Sequence, residues 1–331
     1  MTPQMTRTIS LNIAIIFFTV LLGLAHSTSA WALYPEHPVK IIIPMAAGGG
    51  TDTIARLFAQ KLSLKLAQPV IVENKPGAAG QIGAELAAAA NPDGYTFFMT
   101  SSTALTLPYL RTTKFELNRD FVAIGQIGIG AFALAINNKL PFDTIQSFLA
   151  DAKAHPAKYT YGSPGIGSAG HLATELFNMK VGIKMVHVPF KSSTEVLQSL
   201  ISGQIDSAID ILIIQQPHIQ SKAVRGLATT GKTRDPGLPN LPTFNEANII
   251  PEGFEMTFWY GLFLPIKTPD TVIQKAQEAF ATIMTDPEIL TRLRQFSLSP
   301  STLSAQEFKK NMAEETAVWK KIISETGVQV N

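Results

Sequence analysis

The chain of 331 residues contains no cysteine, and this absence excludes several kinds of chemistry at once. Disulfides, thiol catalysis, iron–sulfur ligation and lipid attachment through cysteine all need that side chain. The chain also lacks a large excess of charge of either sign, because 27 basic residues nearly balance 25 acidic residues. A nucleic-acid-binding surface is therefore not expected.

Long hydrophobic runs are equally scarce, and the longest apolar segment lies near the start of the chain. Arg7 precedes an apolar run over residues 11–25, and Ala30-Trp31-Ala32 supplies small residues of the cleavage-site type. The run falls short of the ~20 residues that a membrane span needs, so a retained anchor is the less favoured alternative. We expect residues 1–32 to be a signal peptide cleaved near Ala32, and the mature protein to reside in the periplasm.

Short β-branched runs alternate with longer helical patterns along the mature chain, which predicts an α/β fold with mainly parallel sheets flanked by helices. Strands are expected at 39–43, 70–73, 95–99, 133–136, 158–161, 185–188, 207–211 and 224–228. Helices are expected at 51–66, 81–90, 144–154, 168–179, 194–201, 270–285 and 305–325. A glycine-punctuated strand at 125–130 and an aromatic strand at 254–265 suggest two crossings between lobes. A single lobe with a long insertion is the alternative.

A first glycine-rich loop joins the strand at Val39 to a helix, through Ala46-Ala-Gly-Gly-Gly-Thr-Asp52. Successive backbone N–H groups and a helix N-terminus favour an anion at such a turn. The sequence therefore predicts a site for a carboxylate or phosphate.

A second loop of the same kind runs from Ser163 to His171, again between a strand and a helix. Its glycines match G-x-G-x-x-G, but the next strand ends in His187-Val-Pro-Phe190 and offers no acid for a ribose, so dinucleotide binding is not expected. Two anion sites would suit a ligand with two acidic ends.

Features of an enzyme are weak in this chain. Gly167-Ser168-Ala169-Gly170 lacks the G-x-S-x-G frame, and no His/Asp/Glu spacing of a metal site stands out. We expect no catalytic residue, metal or organic cofactor, and an exported hydrolase remains a minor alternative.

Several motifs in order along the mature chain resemble the Bug/TctC family, the periplasmic solute receptors of tripartite tricarboxylate transporters. The motifs are Tyr34-Pro-x-x-Pro-Val-x-Ile-Ile-x-Pro44, Ala47-Gly-Gly-Gly-Thr-Asp52, Val72-Glu-Asn-Lys-Pro-Gly77, Asn91-Pro-Asp-Gly-Tyr95, Gly162-Ser-x-Gly-x-Gly-Ser168, His171-Leu, Val188-Pro-Phe-Lys191 and Leu200-x-x-Gly-Gln-x-Asp206. The chain departs from the usual pattern at Ala104, Leu107 and Ser192. These differences leave the identity of the ligand open.

The resemblance implies a type II periplasmic-binding-protein fold with the ligand cleft between two lobes. We place one lobe at residues 33–130 plus 257–331 and the other at 131–256. The ligand is expected to be a small organic carboxylate, the receptor a monomer, and its partners the membrane permease subunits. A sensor that hands its closed form to a membrane signalling protein is the alternative partner relationship.

The expected ligand-binding residues come from both loops, from the end of a strand and from the residue after Phe190. They are Ala46, Ala47, Gly48, Gly49, Thr51, Asp52, Ser101, Ser102, Ser163, Gly165, Gly167, Ser168, His171 and Lys191. Several have structural interpretations: Asp52 as a first-turn helix acid, His171 as a capping or packing residue, and Lys191 as a solvated lysine. Asp206 and Asp210 are interpreted as structural. Phe190, Trp259 and Tyr260 either line an aromatic-acid pocket or pack the hinge between the lobes, and packing is favoured.

Overall fold

The computed structural model describes residues 34–328, so the predicted signal peptide lies outside the described residues. The chain from His37 onward forms one compact unit, and of the preceding unit only residues 34–36 are described.

A ten-stranded, curled mixed sheet runs through this unit, with helices flanking it. Its strands are β1 (Val39–Ile43), β2 (Val70–Asn74), β3 (Thr96–Ser101), β4 (Phe121–Ile136), β5 (Thr160–Ser163), β6 (Val186–Pro189), β7 (Ser207–Ile211), β8 (Arg225–Thr229), β9 (Thr257–Pro265) and β10 (Leu298–Pro300). The order across the sheet is β2-β1-β3-β9-β4-β7-β5-β6, while β8 and β10 also pair with β4. Both ends of the sheet are parallel, as predicted, and the strands in the middle are antiparallel.

Eleven α-helices are described, and those predicted from the sequence are all present. They are α1 (Gly50–Leu66), α2 (Gln81–Ala88), α3 (Thr103–Leu110), α4 (Leu117–Asp120), α5 (Ile145–Ala154), α6 (Ala169–Val181), α7 (Ser193–Ser202), α8 (Leu212–Gln220), α9 (Asp270–Met284), α10 (Pro287–Gln295) and α11 (Ala305–Thr326). Helices α3, α4, α8 and α10 and strand β10 were not predicted.

Strand β4 belongs to two parts of the sheet. Its residues up to Ala131 pair with β9, and from Phe132 onward they pair with β7. We call β1, β2, β3, β9, β10 and the first part of β4 the first sheet region, and β5–β8 with the last part of β4 the second.

The Cβ of an alanine at Gly125 would lie 2.1 Å from the Phe280 ring, so β4 needs glycine where α9 crosses it closely.

Candidate ligand-binding site

A cavity lies between the two sheet regions, at the carboxyl ends of β1, β3 and β7. It is lined by Met45, Ala46, Gly49, Gly50, Thr51, Ser101, Thr103, Phe132, Pro164, Ser168, Ala169, Gly170, Ser192, Ser193, Asp210, Ile211, Phe258 and Tyr260. Its volume, measured for the centre of a water-sized sphere, is about 50 Å³. One water needs roughly 10–15 Å³ on this measure, so the space is small and narrow.

Four helices begin at the wall of this cavity. Lining residues include the first residues of α1 and α3, the cap and first turn of α6, and the cap and first residue of α7. A helix N-terminus carries unsatisfied N–H groups and a partial positive charge. Because no lysine, arginine or histidine is among the described lining residues, helix ends supply the positive potential of this cavity.

The first loop leaves its helix uncapped. Gly49 occupies the N-cap of α1 without a side-chain capping bond, and the Thr53 N–H donates to the Gly49 carbonyl oxygen at 3.0 Å. The three N–H groups before it, at residues 50–52, have no intrahelical acceptor, as in any first turn. The start of α1 therefore offers donors to the cavity.

Asp52 shapes this loop from the side away from the cavity. Its Oδ2 accepts hydrogen bonds from the Gly48 N–H at 3.0 Å and from Arg56 Nε at 2.9 Å, and its Oδ1 accepts one from Asn74 at 3.0 Å. Burial raises the pKa of Asp52, but these bonds outweigh it and the pKa is lowered. With its acceptors used in this way, Asp52 positions the loop backbone.

The second loop satisfies more of its own donors. The Ser168 hydroxyl accepts the His171 N–H at 3.3 Å, and His171 Nδ1 accepts the Gly167 N–H at 3.0 Å. The His171 ring stacks on His187 at a centroid distance of 4.0 Å. His187 Nε2 in turn lies 2.7 Å from the Ser163 hydroxyl. In the first turn of α6, the N–H groups of Ala169 and Gly170 have no intrahelical acceptor and remain to face a ligand.

Burial keeps both histidines of this stack neutral. Burial, with His187 as a second cause, lowers the pKa of His171 to about 3, and burial lowers the pKa of His187 to about 4. A neutral ring leaves His171 Nδ1 free to accept the Gly167 N–H. His171 thus holds the second loop in shape.

Hydrogen bonds join the two sheet regions across the cavity. Thr106 Oγ1 donates to the Gly167 carbonyl at 3.3 Å, Arg111 donates to the Ile166 carbonyl at 3.3 Å, and Thr194 Oγ1 donates to the Gly48 carbonyl at 3.3 Å. Both glycine-rich loops are therefore hydrogen-bonded to the opposite side.

Gly50 lies close to Tyr260 on its own side of the cavity and to Ile211 on the opposite side. A Cβ at this position would lie 2.3 Å from the Tyr260 hydroxyl oxygen and 2.8 Å from Ile211 Cδ1, which belongs to the second sheet region. This packing therefore requires glycine at residue 50.

Five of the fourteen predicted ligand-binding residues line the cavity: Ala46, Gly49, Thr51, Ser101 and Ser168. Ala47, Gly48, Asp52, Ser102, Ser163, Gly167 and His171 belong to the same loops or strand end without lining it. The role of all fourteen in ligand binding stays a prediction.

The remaining two predicted residues lie at a neighbouring cavity. Gly165 and Lys191 line a space of about 270 Å³, together with Pro44 and the turn at residues 76–80. Lys191 is exposed, and its backbone N–H donates to Glu195 at 3.1 Å.

Asp210 lines the cavity, whereas the sequence interpretation treated it as structural. It is 2% exposed, and its Oδ1 accepts the Ile211 N–H at 2.8 Å and the Ser193 hydroxyl at 3.0 Å. Its position at the end of a buried apolar strand was the available signal, because ligands of open α/β sheets bind at carboxyl ends of strands. Asp206, by contrast, accepts from Thr160 outside the cavity.

The three aromatic residues left open by the sequence have different surroundings. Trp259 packs edge-on against Phe308 and donates to Glu315, so it faces α11. Tyr260 lines the cavity and hydrogen-bonds to Thr51. Burial, with the Asp210 charge as an additional cause, raises the pKa of Tyr260. Phe190 lines the neighbouring cavity.

Comparison with known proteins decides the family. The profile described as "Tripartite tricarboxylate transporter family receptor" (TctC) matches residues 54–328. The chain belongs to this family. A UPF0065 protein from the gbd 5′ region of Cupriavidus necator is 33% identical over 92% of this chain and 96% of its own length. The protein BugT of Bordetella pertussis is 29% identical over 95% and 96%.

Several solved structures share this fold. A structure described as a periplasmic transporter has a TM-score of 0.86 and 34% identity, covering 90% of this chain and 100% of the other. Rpa4515 of R. palustris with adipate has a TM-score of 0.85 and 30% identity over 89% and 99%. MatC of Rhodopseudomonas palustris with bound malate has a TM-score of 0.82 and 25% identity over 88% and 100%. The predicted periplasmic-binding-protein fold and Bug/TctC family are confirmed.

Among residues 34–328, no helix combines the length and the apolar character of a membrane span. Within the same range, no group of three or more histidine, aspartate or glutamate side chains is arranged to hold a metal ion.

Proposed function

We propose that this TctC receptor captures a small organic carboxylate in the cavity between its sheet regions and delivers it to the permease subunits of a tripartite transporter. One observation carries the proposal: four helix N-termini meet at a cavity whose described lining contains no basic side chain. Such an environment stabilises an anion through backbone donors and helix dipoles. The adipate and malate in Rpa4515 and MatC support the same ligand class.

Capture proceeds by closure of two lobes, which we assign to residues 33–130 plus 257–331 and to residues 131–256. Strand β4 changes its pairing partner between Ala131 and Phe132, one residue beyond the boundary of this assignment. The hydrogen bonds from Thr106, Arg111 and Thr194 then belong to the closed form. A ligand that contacts both sides favours closure, and closure presents a new surface to the permease.

Energetics require many contacts to act together. Micromolar affinity corresponds to about −8 kcal/mol. A single helix-dipole contact supplies only ~0.3–1 kcal/mol, so several N–H and hydroxyl groups must bind the acid in a water-poor space. We assign this role first to the N–H groups at the start of α1 and to the hydroxyls of Thr51 and Ser101.

The setting of this function is the periplasm, where a monomeric receptor is released after cleavage near Ala32. The signal peptide of residues 1–32 and the monomeric state are parts of the same proposal. The receptor has no catalytic step of its own.

A thermal-shift screen followed by calorimetry tests the proposal. Purified mature protein is screened against succinate, malate, adipate, citrate, benzoate, glucose and putrescine, and each hit is checked for turnover. We expect at least one acid to bind and to be recovered unchanged. Binding of only the sugar or the amine, or conversion of the acid, would contradict the proposed function.

A further inference from the structure

Asp210 is the one carboxyl group among the described residues of the cavity wall, and its two oxygens differ. Oδ1 accepts two hydrogen bonds, from the Ile211 N–H at 2.8 Å and from the Ser193 hydroxyl at 3.0 Å. Oδ2 is buried and has no hydrogen-bond partner. A buried carboxylate oxygen without a donor is costly, whereas a carboxylic acid OH on that oxygen is itself a donor.

The charge of a bound organic acid decides which form of Asp210 fits. The described lining holds no basic side chain, so an ionised Asp210 would face the carboxylate of the acid with only helix ends to balance the charges. Two carboxylates that share a site raise the pKa of one of them. The two bonds to Oδ1 place the added proton on Oδ2, the atom that is free to donate.

We infer that Asp210 takes part in ligand binding as a neutral acid that donates a hydrogen bond from Oδ2 to the captured organic acid, so that capture takes up one proton. This inference rests on the proposed function of the cavity. Asp210 is then a ligand-contacting and specificity-determining residue, which favours acids without an amino group at that end. A ligand ammonium group at the same place would instead require the ionised carboxylate.

The groups around Asp210 leave it as the titrating residue of the cavity. Tyr260 on β9 faces it, and burial raises the pKa of that phenol, so Tyr260 stays neutral. Gly170 of α6 lies against Oδ1, and the nearby His171 is neutral through burial. On α7, Glu195 accepts the backbone N–H of Lys191, and on α1, Asp52 is bonded to Arg56. Ala133, its neighbour on β4, does not titrate. Burial raises the pKa of Asp210 to about 6, although the hydrogen bonds from Ile211 and Ser193 act to lower it.

Calorimetry with defined acids tests the inference, with adipate, malate, succinate and benzoate as probes. Each is titrated into wild-type protein and into Asp210→Asn between about pH 6.5 and 8.5, where these probes are essentially ionised. Asparagine keeps an acceptor for the Ile211 and Ser193 bonds and turns an NH₂ donor to the position of Oδ2. We expect the wild-type affinity to fall up to about tenfold per pH unit, and the Asp210→Asn affinity to be nearly independent of pH and about tenfold or more stronger than wild type at the highest pH.

Two controls separate this role from a structural one. Asp206→Asn changes a carboxylate outside the cavity and should keep the wild-type pH profile. Titration of the wild type in two buffers of different ionisation enthalpy should give an uptake of about one proton per bound acid at pH 7 or above.

Different failures have different meanings. If an acid binds with no pH dependence and no proton uptake, or if Asp210→Asn loses binding at every pH, the inference is wrong while the proposed function stands. If glutamate binds more tightly than the four probes and Asp210→Asn abolishes that binding, Asp210 is an ammonium partner and the inference is wrong. If no acid binds the wild type at any pH, both the inference about Asp210 and the proposed function are wrong.

Discussion

The two glycine-rich loops have the same local design, a strand followed by a turn and a helix, but they use their N–H groups differently. The first loop has glycine at the N-cap and leaves the first turn of α1 uncapped. The second loop has Ser168 at the N-cap and His171 one turn later, and both accept N–H groups of the loop itself. A glycine-rich turn before a helix therefore indicates possible donors, and the side chains around it decide how many stay available.

The anchoring residues differ in the same way. Asp52 accepts the Gly48 N–H and is bonded to Arg56 and Asn74, so it stays charged and fixes the first loop from outside. His171 is neutral and stacks on His187. We expect the first loop to determine affinity and the second loop to contribute more to stability, and the following variants test this difference.

The largest effect is expected from Gly50→Ala. Its Cβ would lie 2.3 Å from the Tyr260 hydroxyl and 2.8 Å from Ile211 Cδ1. Tyr260 lies on the same side of the cavity as Gly50, so that clash costs stability in the open and the closed form, whereas Ile211 lies on the opposite side. Overpacking costs ~1–3 kcal/mol, and the part that comes from Ile211 is confined to the closed form and weakens binding by up to about a hundredfold. Calorimetry with the tightest acid measures it. Gly49→Ala is the matched control, because its Cβ meets only the Ala46 carbonyl at 3.5 Å. Equal losses in the two variants would show that Gly50 has no special part in closure.

Low pH should lower the free energy of unfolding, because it protonates the histidines that hold the second loop. Because the pKa of His171 is lowered to about 3, its contribution to stability is complete above the ordinary pKa of 6.5 and is lost as pH falls below it. From pH 6.5 to 5 the loss is about 2 kcal/mol, since each unit is worth about 1.4 kcal/mol. Urea unfolding at both pH values should show a smaller loss in His171→Gln than in wild type. The same loss in both proteins would place the acid sensitivity elsewhere.

Gly49→Pro removes one N–H of the first loop, and residue 49 can keep its backbone conformation. The φ of Gly49 is −81°, close to the angle that proline imposes. A hydrogen bond to a charged group is worth ~1.5–3 kcal/mol, so affinity should fall about tenfold or more while the protein still folds. Calorimetry against Gly49→Ala, which keeps the N–H, gives the comparison. Undiminished affinity would mean that the ligand does not accept from the Gly49 N–H and would leave residues 50–52 as the donors of this loop.

Ser168→Ala should produce the smallest effect, mainly on stability. The substitution removes the cap of α6, for which a loss of about 1 kcal/mol is typical. Affinity should change less than in Gly49→Pro. A larger loss of affinity in Ser168→Ala would reverse the assignment of the two loops.

Local patterns made much of this architecture predictable. Strand β1 and helix α1 follow directly from the apolar run and the glycine-rich turn, and the two loops were located with their helices. Strand β10 has three residues and forms only by pairing with the distant β4, so no local pattern marks it. Helices α3 and α8 each contain a proline, which weakens their helical signal.

The site was predictable only in part for a related reason. Ala46, Gly49, Thr51, Ser101 and Ser168 line the cavity, but Asp210 reaches it because β7 lies beside β4 in the folded sheet. Residue 50 must be glycine because a Cβ there would clash with Tyr260 and Ile211, which are far away in the sequence. Such contacts between distant segments do not appear in periodicity or spacing.

The central claim is that the helix ends around this cavity hold an organic acid, with the first loop as the main anchor. A crystal structure of the mature protein with the tightest acid from the screen tests it most directly. We predict a ligand carboxylate oxygen within about 2.7–3.2 Å of an N–H at the start of α1, in the cavity that Asp210 lines. An acid bound in the neighbouring cavity beside Lys191, with the first turn of α1 unoccupied by ligand, would contradict the account.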